Sequence, residues 1–287
     1  MIYLLLSILA STIIFINFKL FERFNINILQ AIVVNYCIAF MTGILAYEGT
    51  ITISQLPNLN WFYYSLVLGA LFIIVFNLMA ITTQRSGLSA VSVATKMSVV
   101  IPVLFGLIYY NESLGATKLI GIGIALIAVY LTSKKSNQGI SINRKLILLP
   151  ILVFVGSGII DTSLKFLEDT YVANNDVPLF SAIIFLAAAI IGFIIIIIQV
   201  IKGSLKFEIK NVIAGICLGV PNYFSIYYLV KALRSDILES SGIFAINNVS
   251  IVMLSTFAGI FLFKEKLIRK NWIGIALAIL SIILISL

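Results

Sequence analysis

The chain has 287 residues, of which 61% are hydrophobic and only 10% are charged, and its mean hydropathy is +1.16. Soluble domains carry about 25% charged residues, so this composition excludes a single water-soluble domain, a disordered chain and a disulfide scaffold. The net charge of +8 lies in short gaps between apolar runs, which favours a membrane protein over a nucleic-acid binder. Histidine, the commonest metal ligand and general base, is absent. We expect no metal, no cofactor and no nucleic-acid partner.

Ten apolar runs follow one another along the chain, each long enough to cross about 30 Å of hydrocarbon as a helix. They cover residues 2–18, 28–47, 61–83, 88–110, 116–133, 146–167, 178–201, 211–232, 241–263 and 271–287. The runs are continuously apolar and do not alternate, which favours helices over a barrel. No basic segment precedes the first run, so we interpret it as a retained span rather than a removed signal peptide. The predicted fold class is an all-α integral membrane protein with ten transmembrane helices.

The predicted spans divide into two groups of five. Residues 134–145 form a basic linker near the middle of the chain, between a first five-helix repeat, 1–133, and a second, 146–287. At a shift of 153 positions, seven residues of 106–126 are identical in the two halves, including Gly106 with Gly259 and Glu112 with Glu265. Because five is an odd number of crossings, the halves are predicted to be inverted repeats, an arrangement typical of transporters that work by alternating access.

The basic residues predict an orientation. The side that holds the 134–145 linker carries 14 Lys and Arg residues, and the side that holds both termini carries 4. Positive charge concentrates in cytoplasmic loops. We therefore predict a cytoplasmic linker, with both termini outside the cell (inner) membrane.

The turn motifs of the two halves resemble those of the drug/metabolite transporter superfamily, EamA type. The first half has Tyr110-Asn111-Glu112-Ser113-Leu114 followed by Gly121-Ile122-Gly123-Ile124-Ala125, and the second has Phe263-Lys264-Glu265-Lys266-Leu267 followed by Gly274-Ile275-Ala276. The small polar residue and lysine of the family's first span are partly kept as Ser11 with Lys19 and Ser157 with Lys165, whereas the family's tryptophan is replaced by Leu9 and Val155. Family members often have cytoplasmic termini, the reverse of the charge count.

What this resemblance implies is a carrier of small molecules with its cavity between the two halves, and with the fifth and tenth spans packed outside that cavity. On this basis we assign Gly121, Gly123 and Gly274 to close packing. Glu112 and Glu265, at the helix ends, are expected to fix the turn or a neighbouring helix N-terminus rather than to touch substrate.

Lys96 is the clearest candidate for substrate binding. It lies eight residues into the fourth span, about 12 Å deep, with Thr95 directly before it and Ser98 two residues on. A buried ammonium is costly in a membrane and is therefore a default functional candidate, here for the carboxylate of a substrate. The alternative is a structural lysine paired with a carbonyl or carboxylate.

Asp161 is an acidic residue well inside a predicted span, and two interpretations stay open. In the first it carries proton coupling or binds a cationic amine. In the second it forms a local pair with Lys165, one turn further along. Burial raises the pKa of a carboxyl group and a neighbouring lysine lowers it, so the sequence leaves the choice open.

Neutral polar residues complete the candidate substrate-binding set. Beside Lys96 and Thr95, this set contains Asn77, Asn222, Tyr223, Asn247, Asn248 and Ser11. Pro221 and Pro102 are expected to kink their helices and release backbone carbonyls. For each amide or hydroxyl taken alone, helix-to-helix bonding is the competing role.

The sequence lacks a phosphate-binding loop and the HExxH motif, so neither ATP-driven pumping nor an enzyme is predicted. We predict a secondary-active transporter, an exporter of small metabolites such as amino acids, working by alternating access without ATP. The alternative is a flippase or efflux carrier for lipid-linked or amphipathic drug-like compounds. The expected partners are a small-molecule substrate, the lipid bilayer and, through Asp161, a coupled proton. The sequence does not indicate an oligomeric state.

Overall fold

The computed structural model describes residues 2–51, 53–109, 116–132, 144–233 and 240–286. Its α-helices are α1 (Ile2–Arg23), α2 (Ile28–Leu45), α3 (Phe62–Ser86), α4 (Leu88–Met97), α5 (Val100–Tyr109), α6 (Ala116–Thr132), α7 (Arg144–Tyr171), α8 (Val177–Ile201), α9 (Ile209–Leu233), α10 (Ser240–Phe263) and α11 (Arg269–Ser286). Two short 3-10 helices, Ile53–Asn58 and Asn174–Asp176, precede α3 and α8. No strand occurs within these described ranges.

The helices coincide with the ten predicted spans, which confirms the all-α membrane fold. Among the described residues, seven helices are long and apolar enough to cross a membrane by themselves, and they belong to α1, α2, α3, α7, α8, α9 and α10. The remaining predicted spans are covered by α4 with α5, by α6 and by α11. The 134–145 linker lies almost wholly outside the described residues, and so does Glu112.

The fourth predicted span, 88–110, is broken where one continuous helix was predicted. The helix α4 ends at Met97, and α5 begins at Val100. Pro102 has no N–H to donate to the carbonyl of Ser98, and that carbonyl accepts from the Ile101 N–H instead, at 2.9 Å. The break agrees with the kink expected of Pro102, whereas the expected release of a backbone carbonyl is wrong for Ser98. Pro221 behaves differently, since α9 runs through it without a break.

One compact unit, called unit A here, consists of residues 1–20, 78–159 and 224–287. Within unit A, α6 packs along α11 and α4 packs against α10. Gly274 lies so close to Thr132 that an added Cβ would be 2.8 Å from its methyl carbon, which confirms close packing there. The same prediction is wrong for Gly123, which faces open space with nothing within 4 Å of an added Cβ.

The second compact unit, unit B, consists of residues 21–77 and 160–223, and α2 packs along α8 within it. The ring of the fully buried Tyr36 stacks on Phe185, with centroids 5.9 Å apart, and its hydroxyl donates to the Phe72 carbonyl at 2.8 Å. Nearby, Trp61 and Phe180 meet edge to face at 5.5 Å in a cluster of buried apolar side chains. These contacts bury large aromatic area in the core of unit B.

Neither unit coincides with a predicted half of the sequence, because each contains segments from both halves. The helix pairs inside the units nevertheless follow a rule: each pairs one span of the first predicted half with the equivalent span of the second. The second spans are α2 and α8, the fourth are α4 and α10, and the fifth are α6 and α11. Such pairing is expected of a duplicated five-helix segment. The division into repeats 1–133 and 146–287 stays a prediction.

Candidate functional site

Lys96 lies in the last turn of α4, directly before the break. Its side chain is half-buried, and its Cα is about 12 Å along the axis from Leu88, the first residue of α4. A cation in the last turn is favoured by the partial negative charge of the helix C-terminus. The structure thus places the predicted ammonium beside irregular backbone deep inside a span, a combination typical of transporter binding sites.

Two hydroxyls beside Lys96 bond to their own helix. Thr95 Oγ1 donates to the Val91 carbonyl at 2.9 Å, and Ser98 Oγ donates to the Thr95 carbonyl at 2.6 Å. Hydroxyls bonded back to a preceding turn can loosen and bend a helix. The same bond occurs at Thr82 in the unbroken helix α3, so the two hydroxyls accompany the break and do not explain it alone. Thr95 stays half-buried next to Lys96, whereas Ser98 is fully buried.

The other predicted residues of unit A lie on α1 and α10. Asn247 is buried, and its Oδ1 accepts from Ser7 Oγ at 3.3 Å, while the same hydroxyl is 2.8 Å from the Ser225 carbonyl. Ser11 is half-buried one turn beyond Ser7 on α1, and Asn248 is half-buried next to Asn247. Ser7 thus joins α1, the second half of α9 and α10 at a point about 8–10 Å along α1 and α10 from their first residues.

In unit B, Asn222 is buried and its Nδ2 donates to Asn35 Oδ1 at 3.1 Å. The approach of α9 to α2 is close, because an added Cβ at Gly219 would lie 3.2 Å from the Asn35 Cα, and one at Gly215 2.5 Å from Val34 Cβ. Small residues four apart with an interhelical amide bond are typical of membrane helix packing. For Asn222, this geometry favours the helix-bonding role over substrate contact.

The remaining residues of unit B are Asn77, Tyr223 and Asp161. Asn77 Nδ2 donates to the Ile73 carbonyl of its own helix at 2.7 Å, and Tyr223 is half-buried one residue after Asn222. Asp161 lies inside the apolar part of α7, Ile147–Leu164, and its side chain is exposed on the protein. The side chain of Lys165, its predicted partner, lies outside the described set.

The structure therefore divides the predicted site residues. Those in unit A are Lys96, Thr95, Ser11, Asn247 and Asn248, and those in unit B are Asn77, Asn222, Tyr223 and Asp161. Ser7 and Asn35, both fully buried, were missed. Asn35 is an amide inside an apolar span and Ser7 is one helical turn before Ser11, so the criterion that selected Asn77 would also have found them.

A polar cavity of 390 Å³ in unit B contains none of the predicted substrate residues. It lies where the α1–α2 turn meets the α8–α9 turn. Its buried amides are already paired, since Asn211 Nδ2 donates to Gln30 Oε1 at 2.6 Å and the Asn27 N–H donates to Asn211 Oδ1 at 2.9 Å. The network holds the two turns together and accounts for the polar lining.

Lys231 lies two residues past the apolar part of α9, among tyrosine rings. Its Nζ is 4.7 Å from the Tyr227 ring centroid and 5.5 Å from that of Tyr3. Aromatic rings and a lysine at a helix end are typical of the membrane–water boundary.

Long apolar helices in succession along the described residues define the class of polytopic helical membrane proteins. The sequence profile of the EamA-like transporter family matches residues 1–134. A relative from Haemophilus influenzae (strain ATCC 51907 / DSM 11121 / KW20 / Rd), described as an uncharacterized protein, is 31% identical over 97% of this chain and 95% of its own length. The chain belongs to the EamA-like transporter family, within the drug/metabolite transporter superfamily.

A solved crystal structure of another protein has a similar fold. It aligns with a TM-score of 0.57 and 15% identity, over 98% of this chain and 98% of that one. At this identity the likeness concerns the fold alone. The family indicates a membrane transporter of small molecules, and transporters of this family are not enzymes.

Proposed function

We propose that the protein is a secondary-active exporter of small metabolites that carry a carboxylate, such as amino acids, and that Lys96 binds that carboxylate. The observation that carries the proposal is the placement of Lys96 at the end of α4, directly before the break at Ser98 and Val99. A lysine at the centre of a span costs about 3 kcal/mol on insertion scales, which makes such a residue a functional candidate by default.

The break adds to this placement, because α5 begins four residues after Lys96. The start of a helix carries partial positive charge, and in transporters such half-helix ends face anionic groups of the substrate. Thr95 supplies a hydroxyl beside the ammonium. Ser11, Asn247 and Asn248 are on helices of the same unit and complete the proposed substrate contacts of unit A.

In unit B, we propose Tyr223 and Asn77 as further substrate contacts and Asp161 as the group that couples transport to a proton. Asp161 is exposed although it lies in an apolar helix segment, so it can exchange a proton wherever water reaches α7. Asn222 keeps a substrate role only if its bond to Asn35 opens during transport.

The proposed location is the cell (inner) membrane, with both termini outside and the 134–145 linker in the cytoplasm. The excess of 14 over 4 basic residues on the linker side supports this orientation. A protease or reporter-fusion map that placed the linker outside would contradict it.

A counterflow screen in proteoliposomes tests the function. Vesicles loaded with an unlabelled amino or carboxylic acid should accumulate the labelled compound by exchange, without ATP, and the exchange should saturate. An imposed pH gradient should change the rate in the wild type and have no effect in Asp161→Asn. Lipid scrambling without solute exchange would replace the carrier by the alternative, a flippase for lipid-linked or amphipathic compounds. If neither solute exchange nor lipid scrambling were observed, the proposal that the protein is a transporter would be overturned.

A further inference from the structure

The N-terminus of α4 is capped by a residue that is distant in sequence. The residue before the helix, Gly87, has φ +98° and offers no side-chain cap. The N–H of Leu88 donates instead to Glu265 Oε1 at 2.9 Å. The first N–H groups of a helix have no partner within the helix, and a carboxylate there also meets the positive end of the helix dipole. Such charge-assisted bonds are about twice as strong as neutral ones.

The backbone turn after α10 brings Glu265 to this place. The helix α10 ends at Phe263, and Lys264 then takes a left-handed conformation with φ +53°. This conformation commonly ends helices. The Glu265 N–H donates to the Gly259 carbonyl at 2.9 Å, which folds the residue back along α10. Glu265 itself is half-buried.

Two glycines make room for the carboxylate. An added Cβ would lie 2.8 Å from Glu265 Oε1 at Gly87 and 2.7 Å from Glu265 Oε2 at Gly259. A Cβ essentially never lies this close to an oxygen atom, so a side chain at either position would displace the flexible carboxylate. The absence of side chains at Gly87 and Gly259 therefore leaves space for the Glu265 carboxylate between the start of α4 and the end of α10, within unit A.

We propose that Glu265 is a positioning residue for Lys96. The helix α4 has ten residues, with Glu265 bound at one end and Lys96 in the last turn of the other. Because α4 is interrupted after Met97, its position does not follow from α5. It depends on the packing of α4 against α10 and on the Glu265 contact, which fixes the first residue of α4 and with it the distance along the helix at which Lys96 lies. The role in transport rests on the proposed function of Lys96, whereas the cap itself does not.

The test is a double-mutant cycle read by hydrogen exchange of α4 amides in the full-length protein in nanodiscs. Glu265→Ala removes the cap, and exchange of the amides after Gly87 should rise about tenfold. Gly259→Ala should raise it similarly, because the new Cβ displaces the carboxylate. In a Glu265→Ala background no carboxylate remains to be displaced, and alanine at position 259 does not weaken α10 because it is a better helix former than glycine. Gly259→Ala should therefore have no further effect on α4 exchange in that background. Glu265→Gln keeps an acceptor oxygen and should restore part of the protection.

Two controls separate positioning from general destabilisation. Glu48→Ala removes an exposed carboxylate from the loop after α2 and should leave α4 unchanged. Asn271→Ala destabilises the α6–α11 contact and serves as a control for general destabilisation. The two variants are compared under conditions in which Asn271→Ala and Glu265→Ala lose the same melting temperature. Asn271→Ala should then leave unchanged the rate at which a charged thiol reagent labels a Thr95→Cys reporter. Glu265→Ala should change that rate severalfold.

Unchanged α4 exchange in both single variants, or additive effects in the double variant, would overturn the cap. Exchange effects without a labelling change would overturn the positioning role.

No substrate is needed for these measurements. A failed counterflow screen would therefore remove the transport role of Lys96 and leave the Glu265 cap standing, whereas additive exchange effects would remove the cap and leave the transport proposal untouched.

Discussion

Several buried amide side chains in the described part of this apolar chain join one helix to another, whereas most hydroxyls bond back to their own helix. Asn271 is the fullest case, since its Nδ2 donates to the carbonyls of Leu131 and Thr132 at 3.1 Å and its Oδ1 accepts from the Ile268 N–H at 3.0 Å. It is 5% exposed, so water does not replace these bonds. One side chain thus satisfies the last carbonyls of α6 and fixes the start of α11.

Asn271→Ala should therefore lower the stability of the protein. Losing one partner of buried hydrogen bonds costs about 1–3 kcal/mol, because the carbonyls left behind stay desolvated. The measurement is thermal unfolding of the purified protein in detergent, where the melting temperature should fall by several degrees. Asn60→Ala, which removes an exposed amide, is the matched control. Equal melting temperatures for both variants would contradict the role of Asn271.

Residue chemistry could be predicted from the sequence better than residue partners. A lysine within an apolar run made Lys96 a candidate. Glu265 was expected to fix its turn or a neighbouring helix N-terminus, and it binds a helix N-terminus that is distant in sequence. The partners of Asn222 and Asn247, which are Asn35 and Ser7, depend on how distant helices pack. Hydropathy along one chain carries no such information.

At the scale of elements, the division of the fourth span into α4 and α5 matters most. Prolines also lie within α7 and α9 at Pro150 and Pro221, and neither helix is broken. The break therefore needs more than Pro102. It coincides with the hydroxyls of Thr95 and Ser98 bonding back to the preceding turn. Pro102 is evident from the sequence, but its combination with the hydroxyl bonds of Thr95 and Ser98 is visible only in the structure. This explains why one continuous helix over 88–110 was predicted.

Pro102→Ala should join α4 to α5. Alanine restores an N–H that can bond to the Ser98 carbonyl, and it is about 3 kcal/mol more favourable than proline within a helix. Hydrogen exchange over 98–103 should slow, and the maximal rate of counterflow should fall because the site loses its irregular backbone. Pro150→Ala in α7 is the comparison and should leave the flux unchanged. Faster or equal flux in Pro102→Ala would contradict a functional break.

At the scale of the whole molecule, composition and periodicity were enough for the class and the helices. Ten apolar runs correspond to the observed helices because crossing a membrane demands about 20 apolar residues whatever the neighbours are. The compact units were not predictable, since residues 1–20, 78–159 and 224–287 form unit A only through contacts distant in sequence. The family follows from turn motifs, whereas the substrate depends on side-chain geometry that such motifs do not encode.

The central claim is that Lys96 binds the carboxylate of a transported solute. It is tested most directly by counterflow of a solute found in the screen, compared between Lys96→Ala and Lys202→Ala. Lys202 is exposed at the end of α8, and its loss removes the same charge. We expect Lys96→Ala to reduce exchange at least tenfold at equal amounts of folded protein, and Lys202→Ala to match the wild type. Wild-type exchange in Lys96→Ala would contradict the claim.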